Sequence, residues 1–171
     1  RGISMEKEMA EVYCGNGRGK TTLAIGQALR ASSQGKSVII IQFLKGNERR
    51  ELDFLEELDQ LDIKIFRFEK MESCYDQLNE EEQAEEERNI LNGLNFARKV
   101  IATQECDFLV LDEILGLLDK HIATVDMVVG LLKQKDESMH LILTGNRVDP
   151  GILDYVDSVT TITTLGREQN S

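Results

Sequence analysis

The 171-residue chain has no tryptophan, one proline (Pro150), two histidines and three cysteines, and aromatic residues make up only 5% of it. Each scarcity narrows what the protein can do. His121 and His140 are too few and too isolated to frame a zinc site. Cys14, Cys74 and Cys106 are widely separated, lack metal-ligand spacing and cannot all pair within one chain, so reduced thiols in the cytoplasm are the simplest reading. Basic residues are outnumbered 20 to 31, and a formal charge of −11 argues against a nucleic-acid partner, whose phosphates must be met by Lys and Arg. No apolar run approaches the roughly 20 residues that span a bilayer, and no signal-peptide pattern opens the chain. There is no internal repeat and no linker rich in Pro, Gly or Ser. Arg1 to Ser4 read as a tag remnant ahead of a start at Met5.

A hydrophobic content of 41% with 30% charged residues fits a globular chain. Its length suits one domain over 1–171 with a full α/β core. Strand patterns fall near Glu11–Cys14, Ser37–Phe43, Ile63–Phe68, Phe108–Leu111, His140–Thr144 and Ser158–Thr163. Several are continuous apolar runs, such as Val38-Ile39-Ile40-Ile41, which suit strands covered on both faces. Helical patterns over Lys20–Ser32, Glu48–Leu58, Glu80–Thr103, Thr124–Lys133 and Pro150–Tyr155 alternate with them. The alternation predicts a doubly wound, mostly parallel six-stranded sheet. In the long helix Asn79 is the expected N-cap, Glu80 to Glu87 a solvated start, and Ile90, Leu94, Ala97 and Ile101 one apolar face.

The densest chemical signal is Cys14-Gly15-Asn16-Gly17-Arg18-Gly19-Lys20-Thr21-Thr22, set between the first strand and the first helix. Glycines let a backbone wrap around an anion, and the following helix adds its positive N-terminal end. Lys20 reaches phosphate oxygens and the Thr21 hydroxyl ligates Mg²⁺. Position 14, where the common phosphate loop has glycine, is a cysteine, so the loop reads as the shorter G-x-x-x-G-K-T-T. The bland alternative, a ligand-free strand-to-helix turn, leaves three alternating glycines before Lys-Thr-Thr unexplained. Arg18, Lys20, Arg30 and Lys45 supply enough local positive charge for one triphosphate.

Phe108-Leu109-Val110-Leu111-Asp112-Glu113 is an apolar strand ending in two carboxylates, hard oxygen ligands for Mg²⁺. Glu113 reads either as a second metal contact or as a base that activates water. Gln42-Phe43-Leu44-Lys45-Gly46 and Thr144-Gly145-Asn146-Arg147 put further polar residues at strand ends, where open parallel sheets gather ligands.

CGNGRGKTT, QFLKG with Asn47-Glu48-Arg49 behind it, LVLDE at Leu109–Glu113, and LILTGNR followed by LDYVDSVT together resemble the phosphate-loop ATP:corrinoid adenosyltransferases. The short loop paired with QFLKG is the specific part. The resemblance implies a RecA-like phosphate-loop NTPase fold and transfer of the 5′-deoxyadenosyl group from ATP to the cobalt of a reduced corrinoid, releasing triphosphate. It implies that Gly15, Asn16, Gly17, Arg18, Gly19, Lys20, Thr21 and Thr22 cradle the phosphates. Thr21, Asp112 and Glu113 would place Mg²⁺ or Mn²⁺, and Arg30, Lys45 and Glu48 would serve the nucleotide. Small-molecule substrates, a flavoprotein reductant and a homodimer are the implied partners.

The chain departs from the family in three places. The aromatic segment that carries Trp in relatives has none here, and Phe68, Met71 and Tyr75 are the candidate substitutes. The family's Thr-Gly-Arg becomes Thr144-Gly145-Asn146-Arg147. The chain stops at Ser171 without the usual extension and has little of the N-terminal helix, so the corrinoid pocket is expected to be more open or completed by another subunit. An ATP hydrolase or phosphotransferase, and a non-catalytic ATP- or corrinoid-binding regulator, are the competing readings.

Overall fold

A computed structural model describes residues 8–44, 55, 57, 60–69 and 73–166. Six short strands, β1 (Ala10–Cys14), β2 (Val38–Gln42), β3 (Ile63–Arg67), β4 (Phe108–Asp112), β5 (His140–Thr144) and β6 (Ser158–Thr161), form one sheet in the order β3-β2-β4-β5-β1-β6. Every pairing is parallel. The helices are α1 (Lys20–Ser33), α2 (Glu80–Thr103), α3 (Gly116–Asp119), α4 (Val125–Gln134) and α5 (Pro150–Leu153), with a 3₁₀ turn at Tyr75–Gln77.

The apolar runs become strands because helices cover both faces. All five residues of β2 and all five of β4 are buried. Alternate residues serve opposite cores. Ile39, Ile41, Leu109, Leu111 and Leu143 pack against Ile90, Leu94 and Ala97 of α2 and Val128 of α4. Val38, Ile40, Val110 and Ile142 pack against Ala24, Ile25 and Ala28 of α1. Each such aliphatic side chain, fully buried, contributes about 1.5–3 kcal/mol of transfer free energy.

Helix α2 starts where its pattern predicts. The Asn79 side chain accepts the Glu82 N–H and Glu82 reaches back, a capping box with acidic residues in the first turn. One residue departs from the expected solvated start: Glu86 is fully buried and accepts from Asn89 Nδ2 at 3.1 Å. Other boundaries shift slightly. β6 ends at Thr161, since Ile162 and Thr163 run on alongside the chain after β1 outside the strand proper, and α5 stops at Leu153. The short α3 and the 3₁₀ turn have no periodicity long enough to be read from sequence. The expected helix over Glu48–Leu58 lies outside the described residues apart from Leu55 and Glu57.

The register is the fold's contribution to the site. It aligns Gln42 of β2 with Asp112 of β4, Tyr13 of β1 with Thr144 of β5, and Cys14 with Thr161 of β6. The strand ends therefore present their polar residues along one edge.

Phe68 stands at that edge by its backbone, its N–H donating to Gln42 O at 3.3 Å, but its side chain turns away from it. It lies over α2, where a Cβ added at Gly93 would meet its ring at 2.7 Å, and its ring centroid is 5.7 Å from that of Phe96. Gly93→Val is expected to destabilise the fold by about 1–3 kcal/mol through overpacking, read as a lower urea midpoint. An unchanged midpoint would show that Phe68 is free to swing away.

Candidate active site

Gly15 to Gly19 carries the chain from β1 into α1. Gly19 is the N-cap residue at φ 98°, a left-handed conformation that favours glycine, and no side chain caps the helix. The first-turn N–H groups have no intrahelical partner, which with the helix dipole makes this end an anion seat. A Cβ at Gly19 would meet nothing within 4 Å, so the backbone angle alone requires glycine there.

Gly15 and Gly17 have a different reason. An added Cβ would lie 2.3 Å and 2.6 Å from the carbonyl oxygen of Ile162. Their N–H groups donate to Asn146 O at 2.7 Å and Ile162 O at 2.8 Å. From sequence, every loop glycine is expected to serve the anion. Here two of the three make room for neighbouring backbone. Lys20 Nζ folds back over the loop, donating to Gly15 O at 2.7 Å, Gly17 O at 3.3 Å and Asn146 Oδ1 at 3.2 Å.

The acidic strand stands beside it. Asp112, 1% exposed, accepts from Thr21 Oγ1 at 2.9 Å and Thr144 Oγ1 at 2.8 Å on one oxygen, and from Gln42 Nε2 at 3.4 Å on the other. Burial raises its pKa above the ordinary carboxyl value, against the opposing pull of the Thr144, Thr21 and Gln42 donors and the Lys20 charge. Glu113 occupies φ 60° and donates its N–H to Thr144 Oγ1 at 2.8 Å. It faces a cavity of about 430 Å³ lined also by Leu44, Tyr75, Gly116, Lys120 and Asn146.

The structure thus brings together Gly19, Lys20, Thr21, Asp112 and Glu113, with Gly15 and Gly17 shaping the turn. Asn16, Arg18 and Thr22 lie exposed on the loop and helix start. Arg30 does not join them. It sits exposed in the last turn of α1, ten residues or about 15 Å of helix rise from Lys20, where it complements the dipole. Tyr75 is buried at the cavity; its hydroxyl donates to Glu87, and Lys120 Nζ lies 5.6 Å from its ring centre. Burial and the Glu87 carboxylate push the Tyr75 phenol up to about 12. Arg147 turns away to Asp119 at 2.8 Å, its side chain 78% exposed. Lys45, Glu48 and Met71 lie outside the described residues.

Gln42, Thr144 and Asn146 lie in the strand-end runs expected at the site, although no individual role is expected of them from sequence. The available signal was their place at strand ends. Only the sheet register shows that Asn146, and not Arg147, meets Lys20.

A parallel α/β sheet with an uncapped, lysine-bearing glycine loop beside an acidic strand end defines a phosphate-loop nucleotide-binding enzyme. The profile of the "ATP:corrinoid adenosyltransferase BtuR/CobO/CobP" family matches residues 6–169, and the chain belongs to that family. It is 29% identical over 160 residues to the corrinoid adenosyltransferase of Escherichia coli (strain K12), covering 91% of this chain and 76% of that protein. It is 28% identical over 158 residues to corrinoid adenosyltransferase CobA of Salmonella typhimurium, with the same two coverages. Among solved structures, a KaiC-like protein from Pyrococcus horikoshii superposes with a TM-score of 0.60 at 18% identity, over 91% of this chain and 71% of that one, a likeness of fold. The chain is therefore an enzyme of the corrinoid adenosyltransferase type.

The buried carboxylate has a measurable cost. Because Asp112 has a raised folded-state pKa, its favourable contribution is present at low pH and is lost as pH rises through that value. In Mg²⁺-free buffer at pH 7, Asp112→Asn is expected to raise the urea midpoint, with the gain shrinking as pH falls into the carboxyl range. A variant less stable than the parent at pH 7 would refute this.

Proposed function

We propose that the phosphate loop and acidic strand end hold the triphosphate of ATP while the cob(I) electron pair attacks ribose C5′. The cobalt–carbon bond forms, the C5′–oxygen bond breaks, and triphosphate departs with that electron pair. The observation carrying this is the open N-terminus of α1 with Lys20 above it and the Thr21–Asp112 hydrogen bond beneath. Preorganised N–H groups and an ammonium placed where leaving-group charge develops accelerate such a step. The nucleophile is the metal of the substrate, so Glu113 need not act as a base.

The donor set fits a hard divalent cation. Thr21 donates its hydroxyl hydrogen bond to Asp112, which leaves the hydroxyl oxygen as an acceptor, and Glu113, the next residue after Asp112, lines the neighbouring cavity. Among the described residues no three His, Cys, Asp or Glu could hold a metal together. Most ligands would then come from phosphate and water, as Mg²⁺ prefers, a set of oxygen donors that also suits Mn²⁺. Such an ion would neutralise charge on the leaving triphosphate. Asp112, with both oxygens engaged, acts through Thr21.

The cavity beside Glu113 is the proposed corrinoid side. Tyr75 is the aromatic that lines it, whereas Phe68 is committed to α2. The proposal further includes one nucleotide-binding domain, a flavoprotein as the source of reducing electrons, a homodimer and a cytoplasmic setting. Three free cysteines accord with that setting, and no helix among the described residues is long and apolar enough to cross a membrane.

An anaerobic assay with ATP, a strong reductant and cobalamin or cobinamide tests the reading: triphosphate should appear with the adenosylated corrinoid. ADP and phosphate would mean a hydrolase, and binding without turnover a regulator. Lys20→Ala and Thr21→Ala are each expected to lower turnover at least tenfold while folding normally, since one such contact is worth roughly 2.7–4 kcal/mol in a transition state. Glu113→Gln should raise the Mg²⁺ requirement with ATP still bound. Parent-like rates in the loop variants would end the assignment.

A further inference from the structure

The loop is gripped from its outer side by the chain that follows β6. Past the last ladder pair, Ile162 N–H donates to Cys14 O at 2.8 Å, Gly17 N–H donates to Ile162 O at 2.8 Å, and Arg18 N–H donates to Thr164 Oγ1 at 2.8 Å. Gly15 and Gly17 admit this approach by lacking a Cβ. The segment belongs to none of the motifs of the loop or the acidic strand.

From these contacts we infer that Ile162–Thr164 is a clasp that presets the phosphate loop for ATP, and that Thr164 is a positioning residue for the reaction. The path is short. The Thr164 hydroxyl fixes the Arg18 N–H, and the Arg18–Gly19 peptide leads directly into the left-handed N-cap. That N-cap aims the first-turn donors of α1. A loop already held in its binding geometry spares ATP the entropy of ordering it. The alternation of loop glycines is then a signature of the clasp as much as of the anion.

The inference rests on the ATP reading and is tested apart from it. Thr164→Val keeps the shape and removes the acceptor, and the site is exposed enough for the variant to fold. Calorimetric ATP affinity is expected to weaken about threefold to tenfold, the worth of one hydrogen bond. Amide exchange at Arg18 should accelerate while β1 amides stay protected. Thr164→Ser should restore both. An unchanged ATP affinity overturns the clasp whatever the exchange shows. So does a loss that serine fails to restore, or a weaker affinity with Arg18 exchange unaltered. Failure of the unsubstituted protein to release triphosphate with reduced corrinoid overturns the adenosyl-transfer reading instead, and leaves the affinity comparison standing.

Discussion

The Asp112 carboxylate, buried at the end of β4 and held by Thr21, Thr144 and Gln42, is the contact on which the site's geometry depends. It joins the first helix, the acidic strand and two neighbouring strands at one point. An isolated carboxylate at 1% exposure would be costly, and the three donors offset that cost in part. They arrive because the sheet is parallel and in register. Gln42 pairs directly with Asp112 across β2 and β4, and Thr144 comes from the strand on the other side. A one-residue slip of β4 would reverse its faces and withdraw all three contacts.

The architecture could be read in the sequence because it rests on local patterns. Val38-Ile39-Ile40-Ile41 and Phe108-Leu109-Val110-Leu111 have too few polar residues to face water on either side, and both become fully buried strands. Asn79 followed by three glutamates announces a helix start, and Asn79 caps it. Lys20, Thr21 and Asp112 meet because their motif types require proximity. What sequence could not supply depends on register or on distant backbone. Arg30 fits by type but lies at the wrong end of its helix. Asn146 meets Lys20, whereas Arg147 is paired with Asp119. Gly15 and Gly17 look like anion ligands until Ile162 is seen against them.

The missing tryptophan follows the same logic. Of the two described aromatics proposed to replace it, Phe68 sits in a notch made by Gly93 and packs tilted against Phe96, so moving it would open the core around α2. Tyr75 is anchored by Glu87 through its hydroxyl and by Lys120 over its ring, and it borders open space beside Glu113. Only Tyr75 offers an apolar face to a ligand while its polar end stays paired, the arrangement that suits an aromatic at a half-wet boundary.

The two carboxylates of β4's end divide their work through backbone geometry. Asp112 lies within the strand and points among the donors that bury it. The next residue adopts φ 60°, a conformation that costs a non-glycine residue about 1–3 kcal/mol and persists only where surroundings enforce it. The enforcing contact is visible: Thr144, already donating its hydroxyl proton to Asp112, accepts the Glu113 N–H on the same oxygen. One threonine thus fixes the neighbouring carboxylates in opposite settings, one dry and shared with Thr21, the other on the wall of the cavity. The strained residue thus lines the cavity where the proposed chemistry calls for a carboxylate that meets a hydrated cation.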